Sequence, residues 1–144
     1  MTQTIEAPNP DDIDRIALFL VHAAELVQKA IGETLTSTPG DLDLIQRTLE
    51  TGAPAKDATY SLQALGAAFG EVLVGENDGY DWWMVQDEYG RDPAIRYRET
   101  NLLVFPQTMI AKRVEDGQPV AVRELYADLK SRLDTLRAEN FPGA

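Results

Sequence analysis

The chain has 144 residues, no cysteine, 44% hydrophobic and 26% charged residues. That suits one folded domain and excludes disulfide frameworks, thiolate zinc centres and thiol nucleophiles. With 24 acidic against 13 basic residues the formal charge is −11, a field that repels phosphate backbones and anionic lipid.

Residues 1–8 read as a flexible tail, and 9–144 as one domain. The segment before Ile16 carries Glu6, Asp11, Asp12 and Asp14 and no lysine, the reverse of a signal peptide's basic start. Asn9 is placed to cap a helix with Pro10 at its first position and Asp11 and Asp12 in its first turn, where the helix dipole favours negative charge. This helix runs to about Ile31 and stops near Gly32. Ile13, Ile16, Leu20, Ala24, Val27 and Ile31 form a stripe that Leu18, Phe19, Val21 and Leu26 widen almost all round, so the helix is central to the fold or covered by a partner. The apolar stretch Ile16 to Val27 is interrupted by His22 and Glu25 and is shorter than the roughly 20 residues a bilayer needs. A cytoplasmic location is expected.

Thr38-Pro39-Gly40-Asp41 has the form of a capping box; the helix after it carries Leu42, Ile45 and Leu49 on one face. A third helix begins near Asp57, with Leu62, Leu65, Phe69, Val72 and Leu73 inward. Gly66 and Gly70 lie inside its apolar pattern. Each costs a helix about 1 kcal/mol against alanine, which predicts a close approach to a neighbouring element.

After the turn-rich 75–79 segment the period changes. Tyr80 to Gln86, Ala94 to Arg98 and Leu102 to Phe105 read as three strands joined by short links, an antiparallel meander. Two further helices follow, over about Thr108 to Glu115 and from beyond Pro119 to about Glu139. The expectation is an α+β domain, with three N-terminal and two C-terminal helices packed on one face of a small three-stranded antiparallel sheet.

No nucleophile elbow, phosphate loop or histidine pair occurs; His22 is the only histidine and is read as part of the packing. The acidic residues Asp81, Asp87, Glu88 and Asp92 fail the spacing of a calcium loop: with Gly79 or Gly90 in the glycine position, the first ligand falls on Val74 or Val85. They are read as solvated loop carboxylates, with a carboxylate-dependent, metal-assisted hydrolase or ligand-binding enzyme as the alternative. The richest region is Trp82, Trp83, Tyr89, Arg91, Arg96, Tyr97 and Arg98, residue types enriched where proteins bind one another. Alternation sends Trp82 and Trp83 to opposite faces of their strand. The reading is a non-catalytic protein-interaction module, with an acidic inhibitor or immunity-type protein as its narrower form. Its partner is another protein, basic in the narrower form, or a second copy through the first helix; neither nucleic acid, a membrane nor a cofactor is expected.

Leu65-Gly66, Phe69-Gly70-Glu71-Val72-Leu73, the two tryptophans, Asp87-Glu88-Tyr89-Gly90 and Phe105-Pro106 resemble a family of small bacterial proteins known as a domain of unknown function. The resemblance implies a self-standing bacterial domain and no particular chemistry.

Overall fold

The computed structural model describes residues 3–143; Met1, Thr2 and Ala144, and with them part of the predicted tail, lie outside the described residues. The order is β1 (Thr4–Glu6), α1 (Pro10–Ile31), α2 (Gly40–Glu50), α3 (Thr59–Glu76), β2 (Tyr80–Asp87), β3 (Gly90–Tyr97), β4 (Leu103–Val104), α4 (Pro106–Glu115) and α5 (Val122–Asn140). The α+β class and five helices stand as expected. The sheet has four antiparallel strands in the order β1-β2-β3-β4, not three. The added strand is β1, in the segment read as a flexible tail, which pairs Ile5 with Val85.

Local chemistry sets the helix limits. Asn9 accepts from the Asp12 amide at 2.8 Å while Asp12 accepts from the Asn9 amide at 2.9 Å, a reciprocal cap that satisfies two end donors. Gly32 ends α1 with φ 68°, which glycine adopts without steric cost. The capping box expected at Thr38 and Asp41 is not made. The Asp41 carboxylate instead accepts from the backbone of Thr36 and, at 2.7 Å, of Ser37, so it closes the preceding loop and is itself buried.

β3 begins four residues earlier than expected and runs through Pro93. The Pro93 carbonyl accepts from Gln107 Nε2, so this residue's backbone polar side points away from β2 and the missing N–H breaks no ladder bond. Two positions earlier along the same edge, the Arg91 carbonyl accepts from Arg15 Nη1 at 2.6 Å. β4 pairs only with Ile95 and Arg96, so side chains from α1 and α4 cover the edge that it leaves open.

Tyr80, Ile95, Tyr97 and Val104 share one sheet face with Trp82 and pack against Leu73 and Leu133. A larger cluster joins Phe19, Ala23 and Val27 of α1 to Leu42 and Ile45 of α2, Leu65, Phe69 and Val72 of α3, and Ile110 of α4. α3 is buried on nearly every side. At Gly66 an added Cβ would lie 2.4 Å from the Pro106 carbonyl oxygen and 2.6 Å from Gln107 Cα; at Gly70 it would lie 2.6 Å from Pro106 Cγ and 2.9 Å from Ile95 Cδ1. Both glycines mark a close approach, as their sequence position predicts.

Gly66→Ala is therefore expected to destabilise the fold by about 1–3 kcal/mol through overpacking, despite alanine's better helix propensity. Gly70→Ala should cost less, because the atoms it meets belong to side chains. Urea denaturation midpoints of the two variants check the order; a stabilised Gly66→Ala would contradict the close contact.

Candidate functional site

The hairpin formed by β2 and β3 turns over Glu88 and Tyr89 and distributes the predicted surface residues over two faces and two ends. Trp82 lies on the helix side, packed against both core clusters, and donates from Nε1 to Glu71 Oε2 at 3.0 Å. Tyr97 is also on that side and 1% exposed, its ring 5.1 Å from Tyr80 and 4.4 Å below the Arg137 guanidinium. Arg98, in a left-handed conformation with φ 45°, donates to the Tyr97 hydroxyl at 3.0 Å. That hydrogen bond, with the positive charges of Arg137 and Arg98 against the opposing effect of burial, holds the Tyr97 phenol below its usual range. Burial pushes Tyr80 the other way.

Arg91 stands at the hairpin's opposite end. Its guanidinium grips Asp12 with Nη2 to Oδ2 at 2.6 Å and Nε to Oδ1 at 3.2 Å, and reaches Glu6 at 3.1 Å. One side chain thus ties β3 to the capped start of α1 and to β1. The hydrogen bonds from Arg91 and then from the Asn9 amide hold the Asp12 carboxyl below the usual aspartate range, against its burial. This arginine is a structural fastener. Tyr89, at the turn, is 88% exposed.

Trp83 and Arg96 are the pair that the structure brings together on the second sheet face. The Arg96 guanidinium sits 4.4 Å from the Trp83 ring centre and donates from Nε to the Thr100 carbonyl at 2.5 Å, so the cation is held over the ring. Ile5, Val85, Ala94 and Leu103 share this face by register, and none belongs to either core cluster. Asp81 lies directly across from Arg96 and is exposed.

The acidic residues do not gather. Asp87 accepts from the Tyr89 amide at 2.8 Å, Asp92 pairs with Arg15 at 3.1 Å, and Glu88 is in the turn. Asp81 and Asp87 stand six residues apart on one strand, about 20 Å, beyond the reach of paired-carboxylate chemistry. Among the described residues no three Asp, Glu or His side chains converge.

A second place was invisible in the sequence. Arg15 and Phe19 of α1, Gln63 of α3, Asp92 of β3, and Phe105 and Gln107 at the start of α4 line a cavity of about 290 Å³. Gln107 is buried; with its Nε2 committed to Pro93, its Oε1 is buried with no hydrogen-bond partner among the described residues. An unmet buried acceptor costs about 1–3 kcal/mol. Beside the cavity, Phe19 stacks on Tyr60 at 4.9 Å, Tyr60 touches the His22 ring, and His22 Nε2 is 2.8 Å from Ser61 Oγ. No carboxylate among the described residues hydrogen-bonds the other ring nitrogen, so the pair joins α1 to α3 without completing a triad. The available signal was the spacing Arg15, Phe19, His22, one face of a helix, which the apolar pattern masked.

A family model described as "Domain of unknown function (DUF3806)" matches residues 41–126, well over half of the chain. The chain belongs to the DUF3806 family. The DUF3806 segment runs from the buried Asp41 into α5 and contains the whole hairpin, Gly66, Gly70, Gln63 and Gln107, while Arg15 and Phe19 precede it. A crystal structure from Bacteroides thetaiotaomicron VPI-5482 is similar in fold, with a TM-score of 0.84 and 18% identity, over 92% of this chain and 48% of that one. The DUF3806 chain thus spans about half the length of that protein. No curated protein matches it in sequence.

Asp12→Asn should destabilise the protein at neutral pH, because the folded carboxylate is held below its unfolded value and contributes stability while ionised. That contribution is present above the ordinary aspartate range and lost as pH falls through the lower folded value. Urea midpoints of variant and parent should differ at pH 7 and converge in strong acid; a constant difference would contradict the role of charge.

Proposed function

We propose that this DUF3806 domain is a non-catalytic protein-binding module whose second sheet face docks a basic partner, in the manner of an acidic inhibitor or immunity-type protein. One observation carries the reading: Trp83 and Arg96 are stacked on the face whose side chains belong to neither core cluster. Tryptophan and arginine dominate binding hot spots, and a guanidinium already seated on its ring loses little freedom on docking. The exposed carboxylate of Asp81 and the turn carboxylate of Glu88 supply a negative surround, and the net charge of −11 steers cationic partners inward. No helix among the described residues is long and apolar enough to cross a membrane; a cytoplasmic setting belongs to the proposal, as does the absence of a nucleic-acid partner.

Trp83→Ala and Arg96→Glu should each weaken the complex by about tenfold or more while leaving the melting temperature nearly unchanged. Binding should also fall steeply with added salt. Calorimetric titration of a partner captured from native cells on the tagged protein at low salt tests both; unchanged affinity in the two variants removes this face from consideration, and salt-insensitive binding removes the electrostatic part.

A second copy is the other reading. Ile13, Leu18 and Val21 on α1 are 56%, 61% and 53% exposed; Leu18 and Val21 lie on the side opposite the buried face and Ile13 on its flank, apolar surface that a two-fold partner would cover. Sedimentation should then show a dimer that Leu18→Glu dissociates; a parent protein that sediments as a monomer excludes it.

A further inference from the structure

We propose that the cavity between α1, α3, α4 and the open edge of β3 binds a small neutral aromatic ring carrying a primary amide. At about 290 Å³ it is at the small end of ligand pockets, with room for one substituted ring. Phe19 and Phe105 give it apolar walls, and Phe105 is 37% exposed.

The polar groups define the substituent. The Gln63 carboxamide lines the cavity, is half-buried, and makes no hydrogen bond with the described residues; its N–H and C=O stand side by side, the complement of another amide. Gln107 is fixed by its bond to the Pro93 carbonyl, so that only its Oε1 is left, and it requires a donor. Arg15 has two N–H groups committed, to the Arg91 carbonyl and to Asp92, and retains others for a ligand carbonyl. The cavity therefore asks for N–H and C=O on one planar group.

Charge then selects among planar groups of that shape. Arg15 and Asp92 already neutralise each other, so a neutral ligand buries no unpaired charge. A carboxylate would set oxygen against the Gln107 and Asp92 oxygens. An amidinium would set its charge against Arg15. The amide alone satisfies donor and acceptor together. Of these residues only Asp92 shares the Trp83 and Arg96 sheet face by register, and its carboxylate is held by Arg15, so this proposal is tested separately from protein binding.

The experiment titrates the whole isotope-labelled chain with benzamide, benzoate and benzamidinium, which share one shape, and follows the side-chain amide signals of Gln63 and Gln107. Benzamide should shift both signals saturably, and the two charged isosteres should not. Gln63→Leu and Phe105→Ala, whose spectra report their own folding, should each weaken benzamide by about five- to tenfold. Absence of a saturable shift at these two amides overturns the proposal. So does binding of benzoate or benzamidinium as tight as that of benzamide, or undiminished binding in the folded variants; if a variant unfolds, the three isosteres on the parent chain decide alone.

Discussion

The contact on which the rest of the structure depends is the one where two glycines of α3 meet the start of α4. Gly66 lies against the Pro106 carbonyl and Gln107 Cα, and Gly70 lies against the Pro106 ring and Ile95 Cδ1, so three elements close on a space too small for a methyl group. Two helix-interior glycines cost about 1 kcal/mol each in propensity. Burial offsets this, since α3 carries ten buried residues and is the hub of the larger core cluster. The contact also fixes where the chain can turn. Pro106, pre-set for a first helical position, must sit on α3, and the strand before it is held to Leu103 and Val104.

β4 pairs only Ile95 and Arg96, so most of the β3 edge is left without a strand, and from that the cavity follows. The carbonyls of Arg91 and Pro93 must find donors, and they find them in Arg15 and Gln107. Side chains cover an edge less completely than a strand does, and the space left among them is the cavity. On the other face Val85 and Ala94 are buried without belonging to either core cluster, Trp83 is half-buried, and Arg96 rests on its ring.

The helices were legible because their signals are local: the Asn9-Pro10-Asp12 start, Gly32 as terminator, and apolar spacing across α2, α3 and α5. The hairpin was legible through its change of period. β1 was not, since three residues between a terminus and Pro8 are too few to show a period, and their strand character comes from pairing with β2. Pro93 concealed the first half of β3 because its tolerance depends on which way the edge faces. Asp41 was read as a cap because its spacing is right, but a carboxylate bonds whichever amides the loop brings to it, here those of Thr36 and Ser37. The seven hairpin residues stand out in the sequence by type, yet sequence could not separate Arg91, held by Asp12, from Arg96, held over tryptophan. The cavity was beyond reach because Arg15, Gln63 and Gln107 come from three helices and are individually ordinary.

The distribution of charge follows from what the few basic residues do. Arg15, Arg91 and Arg123 each bind a carboxylate on an element far away in sequence, and Lys130 and Arg137 engage Asp134 within α5. The exposed pairs among these are worth about 0–1 kcal/mol each, so their main effect is on register and on charge, whereas Arg91 is fastened to the buried Asp12. Arg96 departs from that pattern, as Arg98 and Arg113 do: its contacts are a carbonyl oxygen and an aromatic ring, neither of which cancels its charge. A partner docking there on the proposed reading therefore meets a positive centre within a negative surround. Complementarity then asks for a basic contact patch with an acceptor, a carboxylate or a carbonyl, at its middle. That is a narrower demand than attraction between opposite net charges, and it is how so acidic a domain would discriminate among basic proteins.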